Sequence, residues 1–330
     1  MEKVDCSSII LSRLDLYDIE EALWEPYHKD GPGRPPRNPL GIFKALIMKR
    51  LRYIPSDKEL YRRLWNDPEL KHICDIEAEQ RPYHPTQLTR FRNRVGSERL
   101  GRIMDGIIEE LVEASVIDGE TVAMDATFIK AYSKRDPNDN SRGSSDPDAR
   151  VGRDGKTYNL GYKAHVAADV KSELPVAVVM APANENEKRH AYTLLDKTIE
   201  TTKGRVKKLV ADSQYSSKQF RETAFDNDVK AVIPYPSNQR PKEKGLLRMD
   251  KHFRTHGPAG ERMLYHHRAS IERTFSRLKE QLNLNKHKVR GLRNITVHAL
   301  LCVIAMLLVA IAALHLNRPK KTRSIALLGW

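Results

Sequence analysis

The sequence predicts an α/β fold, a mixed sheet preceded by an all-α N-terminal domain. Two observations carry it. From Thr121 the apolar residues change from helical spacing to short period-2 or wholly apolar runs, in TVAMDATFIKAYS, YNLGYKAHVAADV and LPVAVVMAP. Before Thr121, capping residues open one short amphipathic stretch after another.

The first residues, MEKVDCSSIILSRLDLYDIEE, place acids on both sides of a short apolar run and offer no small-residue cleavage site. They do not read as a secretory signal, and the protein is expected in the cytoplasm. Gly31 to Pro39, GPGRPPRNP, reads as a stiff linker in which Asn38 caps and Pro39 opens a helix from Leu40 to Leu51. Its GRPP matches the Gly-Arg-Pro core of minor-groove peptides as a tripeptide only, and a rigid spacer is the simpler role. Ser56 with Glu59 forms a capping box for DKELYRRLWN, and Asp67 opens ELKHIC. Thr86 then opens QLTRFRNRV and Ser97 opens ERLGRIMDGIIEELVEA. Small helices ending in an arginine-rich one fit a helix-turn-helix array in which Arg90 and Arg94, at i and i+4, meet DNA phosphates. A plain helical bundle with solvated arginines fits the same pattern.

After the three strands come a helix in HAYTLLDKTIE, a strand in KKLVADSQY, a helix in SKQFRETAF, a strand in VKAVIPY and a helix around Tyr265. Three consecutive strands followed by alternating helix and strand is the order of a ribonuclease-H-like fold with a mixed sheet. Lys134 to Lys156 reads as a polar loop between the first two strands. Its aspartates do not make an EF-hand, since DPNDNSRG lacks the required Gly and brings Pro147 where the bidentate Glu belongs. The expected division is a helical domain over residues 1–116 and a sheet domain over 117–330. The latter carries a basic insertion at about 235–260 and a C-terminal apolar core helix at about 295–316.

Formal charge is +14 over 330 residues. Between Ser237 and Asn294, 15 basic residues face 5 acidic ones. So dense a positive field points to a polyanion, nucleic acid before membrane. Cys6, Cys74 and Cys302 are far apart, so neither a disulfide framework nor a paired-cysteine zinc site is available. The apolar run from Val297 to Leu316 is uninterrupted only between His298 and His315, about 24 Å of helix against a hydrocarbon core of about 30 Å. A buried core helix packed against the sheet is the favoured reading over a membrane anchor.

Asp125 lies within VAMDAT and Asp212 ends the apolar strand KKLVAD, places where burying a charge is costly. On a helix from Leu264 to Leu282, Tyr265, Arg268, Glu272 and Lys279 fall within about 60° of one another, beside an apolar stripe of Leu264, Ile271, Phe275, Leu278 and Leu282. Two strand aspartates and a helix glutamate among cations suit a site for two hard divalent ions and a phosphate. A solvated face with i,i+4 pairs is the alternative for the helix alone.

These residues resemble the DDE-type insertion-sequence transposases of the insertion sequence four and five families. MDATFIKAYSK is similar to the first catalytic Asp motif, GYKAHVAAD to the strand after it and LVADSQYSS to the second Asp motif. YHHRASIERTFSRLK matches the Y-R-E-K signature at all four positions, and the helical region from GRPPRNPLG to TQLTRFRNRV resembles the region that precedes this domain. The resemblance implies that Asp125, Asp212 and Glu272 form a metal-binding triad for Mg²⁺, with Mn²⁺ substituting, and that Tyr265, Arg268 and Lys279 contact phosphates. It also implies an enzyme that nicks double-stranded DNA at the ends of its own element and joins the freed 3′-hydroxyl to target DNA, working as a homodimer in a synaptic complex; no membrane is expected, from the shortness of the apolar run. A domesticated DNA-binding derivative without cleavage is the alternative.

Overall fold

The computed structural model describes residues 11, 14–27, 35–236 and 259–325; Cys6, the start of the Gly31–Pro39 linker and most of the expected basic insertion lie outside the described residues. Among the described residues the helices α1 (Tyr17–Trp24), α2 (Pro39–Leu51), α3 (Asp57–Asn66), α4 (Pro68–Ile73) and α5 (Pro85–Glu113) precede the sheet. Asn38 Oδ1 accepts the Leu40 N–H at 2.9 Å, Ser56 Oγ the Glu59 N–H at 3.0 Å and Asp67 Oδ1 the Leu70 N–H at 2.8 Å. Each cap satisfies an amide that has no intrahelical acceptor, worth about 1 kcal/mol. α5 is two helices joined at Gly96, whose φ of 72° and ψ of −179° are open only to glycine. The break expected before Ser97 therefore rests on the residue preceding it.

The sheet has six strands: β1 (Thr121–Lys130), β2 (Arg150–Asp154), β3 (Thr157–Asp169), β4 (Pro175–Pro182), β5 (Lys208–Ala211) and β6 (Lys230–Val232). Its order is β2-β3-β1-β5-β6, with β4 also paired to β3. β1 to β4 pair antiparallel, whereas β1, β5 and β6 run parallel. The parallel connections pass through α6 (Glu187–Thr201) and α7 (Lys218–Asp226), as parallel pairing requires a crossover. The result is the expected ribonuclease-H-like mixed sheet.

Residues 134–156 are more than a loop. β2 forms a hairpin with β3 through a turn at Gly155, and the segment before it folds through bridges from Arg135 to Gly143 and from Arg142 to Arg150. Tyr162 Oη donates to the buried Asp146 Oδ1 at 2.6 Å, while Asp136 and Asp139 cap local turns through the Asn138 and Ser141 amides. The aspartates that make the stretch look like solvent loop are its internal acceptors.

Beyond the sheet come α8 (Ala259–His266), α9 (Ala269–Ser276), a π-helical turn at Arg277–Gln281 and α10 (Leu292–His315). α10 is long and apolar enough to cross a membrane, yet 94 % of its most apolar 18 residues are buried within the structure. The sequence suggests that it covers the sheet. Instead it packs on α2, itself buried on nearly every side, and Arg50 Nη2 lies 3.4 Å from His298 Nδ1 between them. Contacts divide the chain into two compact units, Met1–Ile107 with Arg277–Trp330, and Ile108–Ser276. The C-terminal stretch thus groups with the N-terminal helices, unlike the division expected at residue 116.

Candidate active site

β1 and β5 run in register, and Met124 opposite Ala211 is their last pair. The next residue on each is a carboxylate, so Asp125 and Asp212 stand at one level where β5 ends, the edge of a parallel sheet at which ligands bind. Asp125 remains in the sheet opposite Val166 of β3. Asp212 leaves β5 and opens a 3₁₀ turn at Ser213–Tyr215, where its Oδ1 accepts the Ser213 hydroxyl at 2.9 Å.

The third carboxylate arrives on α9, which buries Ile271 and Phe275 and contacts β1 and β3. Two bonds to the β3–β4 turn fix it: Thr274 Oγ1 donates to the Glu173 carbonyl at 2.9 Å and Arg273 Nε to Glu173 Oε1 at 2.7 Å. Glu272 is left facing outward, its side chain 59 % exposed.

The stretch from Leu264 to Leu282 is not the single helix expected from the sequence but two helices and a π-helical turn. Around Arg268 the backbone bonds tighten to i→i+3, from His267 N–H to Leu264 C=O at 3.0 Å and from Arg268 N–H to Tyr265 C=O at 3.0 Å. This step turns Arg268 inward. Its Nη1 donates to Asp125 Oδ2 at 2.7 Å and its Nη2 to Glu272 Oε1 at 2.8 Å, so one planar fork spans both carboxylates.

Burial pushes the Asp125 carboxyl up to about 6, with Asp212 and Glu272 acting in the same direction and Arg268 and the Ala126 amide opposing. For Arg268, burial disfavours the cation, but Asp125, Tyr265, Glu272 and Asp212 together outweigh it and raise its pKa. The three carboxylates therefore act on one guanidinium and on one another.

Tyr265 is expected at phosphate, yet its ring is 4 % exposed and packs on Val210 and Val232. Lys279, in the π-helical turn, and Arg90 and Arg94, both exposed on α5, belong to the helical unit. The Arg94 guanidinium lies over the Tyr27 ring, 4.6 Å from its centroid. Sequence reasoning missed two buried neighbours, Tyr215 and His165, whose Oη and Nδ1 are 3.0 Å apart. Burial, then His190 and Lys163, push the His165 imidazole down to about 3, so it is neutral. The available signal was a histidine on a strand position that otherwise alternates apolar, one residue from the partner of Asp125.

As they stand, no group of three His, Cys, Asp or Glu side chains among the described residues is close enough to hold a metal ion. The donor set itself is hard: three carboxylates with no thiolate, which suits Mg²⁺, Mn²⁺ or Ca²⁺. Asp125 is raised chiefly by burial, with Asp212 and Glu272 adding to it, and Arg268 is the cation set against them.

Residues 117–308, 192 of the 330, match the family model of the Transposase DDE domain. The chain belongs to the DDE transposases. Residues 5–94 match a second model, Transposase domain (DUF772). No curated protein matches the transposase by sequence. Among solved structures, a piggyBac transposase synaptic complex with hairpin DNA is 11 % identical and covers 98 % of this chain and 79 % of its own, at a TM-score of 0.46. A Mos1 transposase paired-end complex with the left transposon end is 12 % identical, covering 77 % and 82 %, at 0.23. A Mos1 mariner paired-end complex with Mn is 12 % identical, covering 86 % and 98 %, at 0.22. Likenesses this distant carry no argument, and the family rests on the sequence models. As a DDE-type insertion-sequence transposase, the protein binds DNA and catalyses strand cleavage and strand transfer with divalent metal.

Proposed function

We propose that Asp125, Asp212 and Glu272 are the metal-binding triad of this transposase, holding two Mg²⁺ ions for which Mn²⁺ substitutes. The observation that carries it is the Arg268 fork joining Asp125 to Glu272 while Asp212 stands level with Asp125. Bound divalent ions would supply Lewis acidity and charge neutralisation at the scissile phosphate. Arg268 presents a planar fork of the shape that grips a phosphate, and it holds the carboxylates or a phosphate but not both at once. Lys279, carried by the π-helical turn of the helical unit, is a further contact to DNA phosphate. Tyr265, with its ring in the core, backs Arg268 and does not itself grip DNA.

On this reading the N-terminal helices, Arg90 and Arg94 among them, bind the ends of the element, and the enzyme works in the cytoplasm as a homodimer in the synaptic complex. α10 is a core helix, so no membrane is involved. The family branch is that of insertion sequences four and five, on the Y-R-E-K spacing. The test compares Asp125→Ala, Asp212→Ala and Glu272→Ala for Mg²⁺-dependent nicking of DNA carrying the element ends. Cleavage should fall to background with DNA binding kept within about twofold of wild type, because the carboxylates make no base contacts. Cleavage near the wild-type rate in any of the three would sink the assignment.

A further inference from the structure

A cavity of about 490 Å³ opens in the helical unit, between the end of α2, the start of α3, α5 and residues 283–298. Its charge is one-sided: Lys49, Arg50, Arg92, Lys286, Lys288 and Arg290 line it against one carboxylate, Asp57. That carboxylate is already engaged, accepting Lys49 Nζ at 2.6 Å and Arg92 Nη2 at 2.6 Å.

Two buried side chains on the wall are incompletely satisfied. Arg50 is 4 % exposed; it donates to the Leu46 carbonyl at 2.6 Å and meets His298, but among the described residues its Nε has no hydrogen-bond partner and it forms no ion pair. Asn283 is 5 % exposed at a φ of 64°, and among the described residues both its side-chain oxygen and nitrogen lack partners. The one carboxylate that acts on Arg50, Asp57, is shared with Lys49 and Arg92, and a buried cation short of counter-charge and a buried amide without bonds are both costly. An anion carrying several acceptor oxygens can accept from both the Arg50 Nε–H and the Asn283 amide N–H. The walls include no Phe, Tyr or Trp. The aromatic rings there are the imidazoles of His287 and His298, which lie against each other with centroids 5.4 Å apart, so the lining offers a base little stacking area and many cations, which suits the sugar–phosphate backbone.

We propose that this cavity takes a backbone phosphate of duplex DNA, anchored by Arg50 and Asn283 and approached by Lys286 and Lys288. Its residues are separate from the carboxylates of the proposed catalytic triad. A free phosphate or nucleotide shares the chemistry, so the experiment separates the two sources.

Full-length protein is titrated with labelled duplex DNA in EDTA, at several salt concentrations, for wild type, Asn283→Asp, the pair Lys286→Gln/Lys288→Gln, and a control pair Lys320→Gln/Lys321→Gln on an exposed turn outside the cavity. The cavity pair should lose about tenfold in affinity and about one unit of salt slope, while the control pair stays near wild type. Asn283→Asp should weaken binding similarly, by placing a carboxylate beside the phosphate; if it melts early, the lysine pair carries the test. Equal losses in both pairs would mean a diffuse field and overturn the proposal. So would inorganic phosphate or ATP raising the melting temperature while the cavity variants bind DNA like wild type. Mg²⁺-dependent cleavage by Asp125→Ala is measured alongside: failure of the triad reading shows in cleavage, and failure of this one in metal-free binding by the lysine pair.

Discussion

Asp125 and Arg268 set opposite demands on one another. Folded Asp125 has its pKa raised from 3.8 to about 6, so between those values the native protein holds a proton that the unfolded chain has released. Stability from this group is therefore greatest below about pH 4 and declines as pH rises to about 6, the reverse of an ordinary paired carboxylate. Metal binding runs the other way, since a ligand must be ionised. The apparent Mg²⁺ affinity, read from titrations of cleavage, should weaken towards tenfold per pH unit below about 6; a flat response between pH 5 and 8 would remove Asp125 from the metal site. Arg268 holds Asp125 at 2.7 Å and Glu272 at 2.8 Å. Arg268→Ala should lower cleavage and DNA-end binding, whereas Arg268→Lys should restore only part of both, because lysine keeps the charge and loses the fork. Full rescue by lysine in single-turnover assays would reduce Arg268 to a point charge.

At the scale of elements, α10 is the sharpest test, because an apolar helix of 24 residues suits a core and a bilayer by composition alone. Ile304 is fully buried. Ile304→Asp would place an unpaired charge there at a cost of several kcal/mol, a large share of an ordinary stability of about 5–15 kcal/mol. The variant should aggregate or melt far below wild type; a folded variant that merely leaves the membrane fraction would show an anchor. The sequence makes the helix itself legible, and equally the caps at Asn38, Ser56 and Asp67, since these are local effects within four residues. The strand aspartates could be read for the same reason. The partner of α10 could not be read, because a helix apolar all round has no preferred face. β2 was hidden by its polar edge-strand residues, and the turn at Arg268 by an ion pair to Asp125, 143 positions away, that lies beyond any local pattern. The buried place of Tyr265 follows from that turn and could not precede it.

Over the whole molecule, charge decides how the transposase meets DNA. A formal charge of +14 is concentrated between Ser237 and Asn294, where 15 basic residues outnumber 5 acidic ones. Each phosphate that these residues neutralise releases condensed counterions, so affinity should fall linearly on a log–log plot against salt. Six phosphate contacts would give a slope of about −5, which is about a thousandfold loss between 50 and 200 mM salt. The effect should appear on unrelated duplexes as well as on element ends, since backbone contacts position without reading sequence. Base contacts made by the N-terminal helices would appear instead as a constant ratio between end and unrelated DNA across the titration. Filter binding or fluorescence anisotropy in EDTA measures both without cleavage. A slope near zero would assign the basic stretch to something other than DNA, and a ratio that collapses to one at every salt would remove end recognition from the N-terminal helices while leaving the carboxylate chemistry untouched.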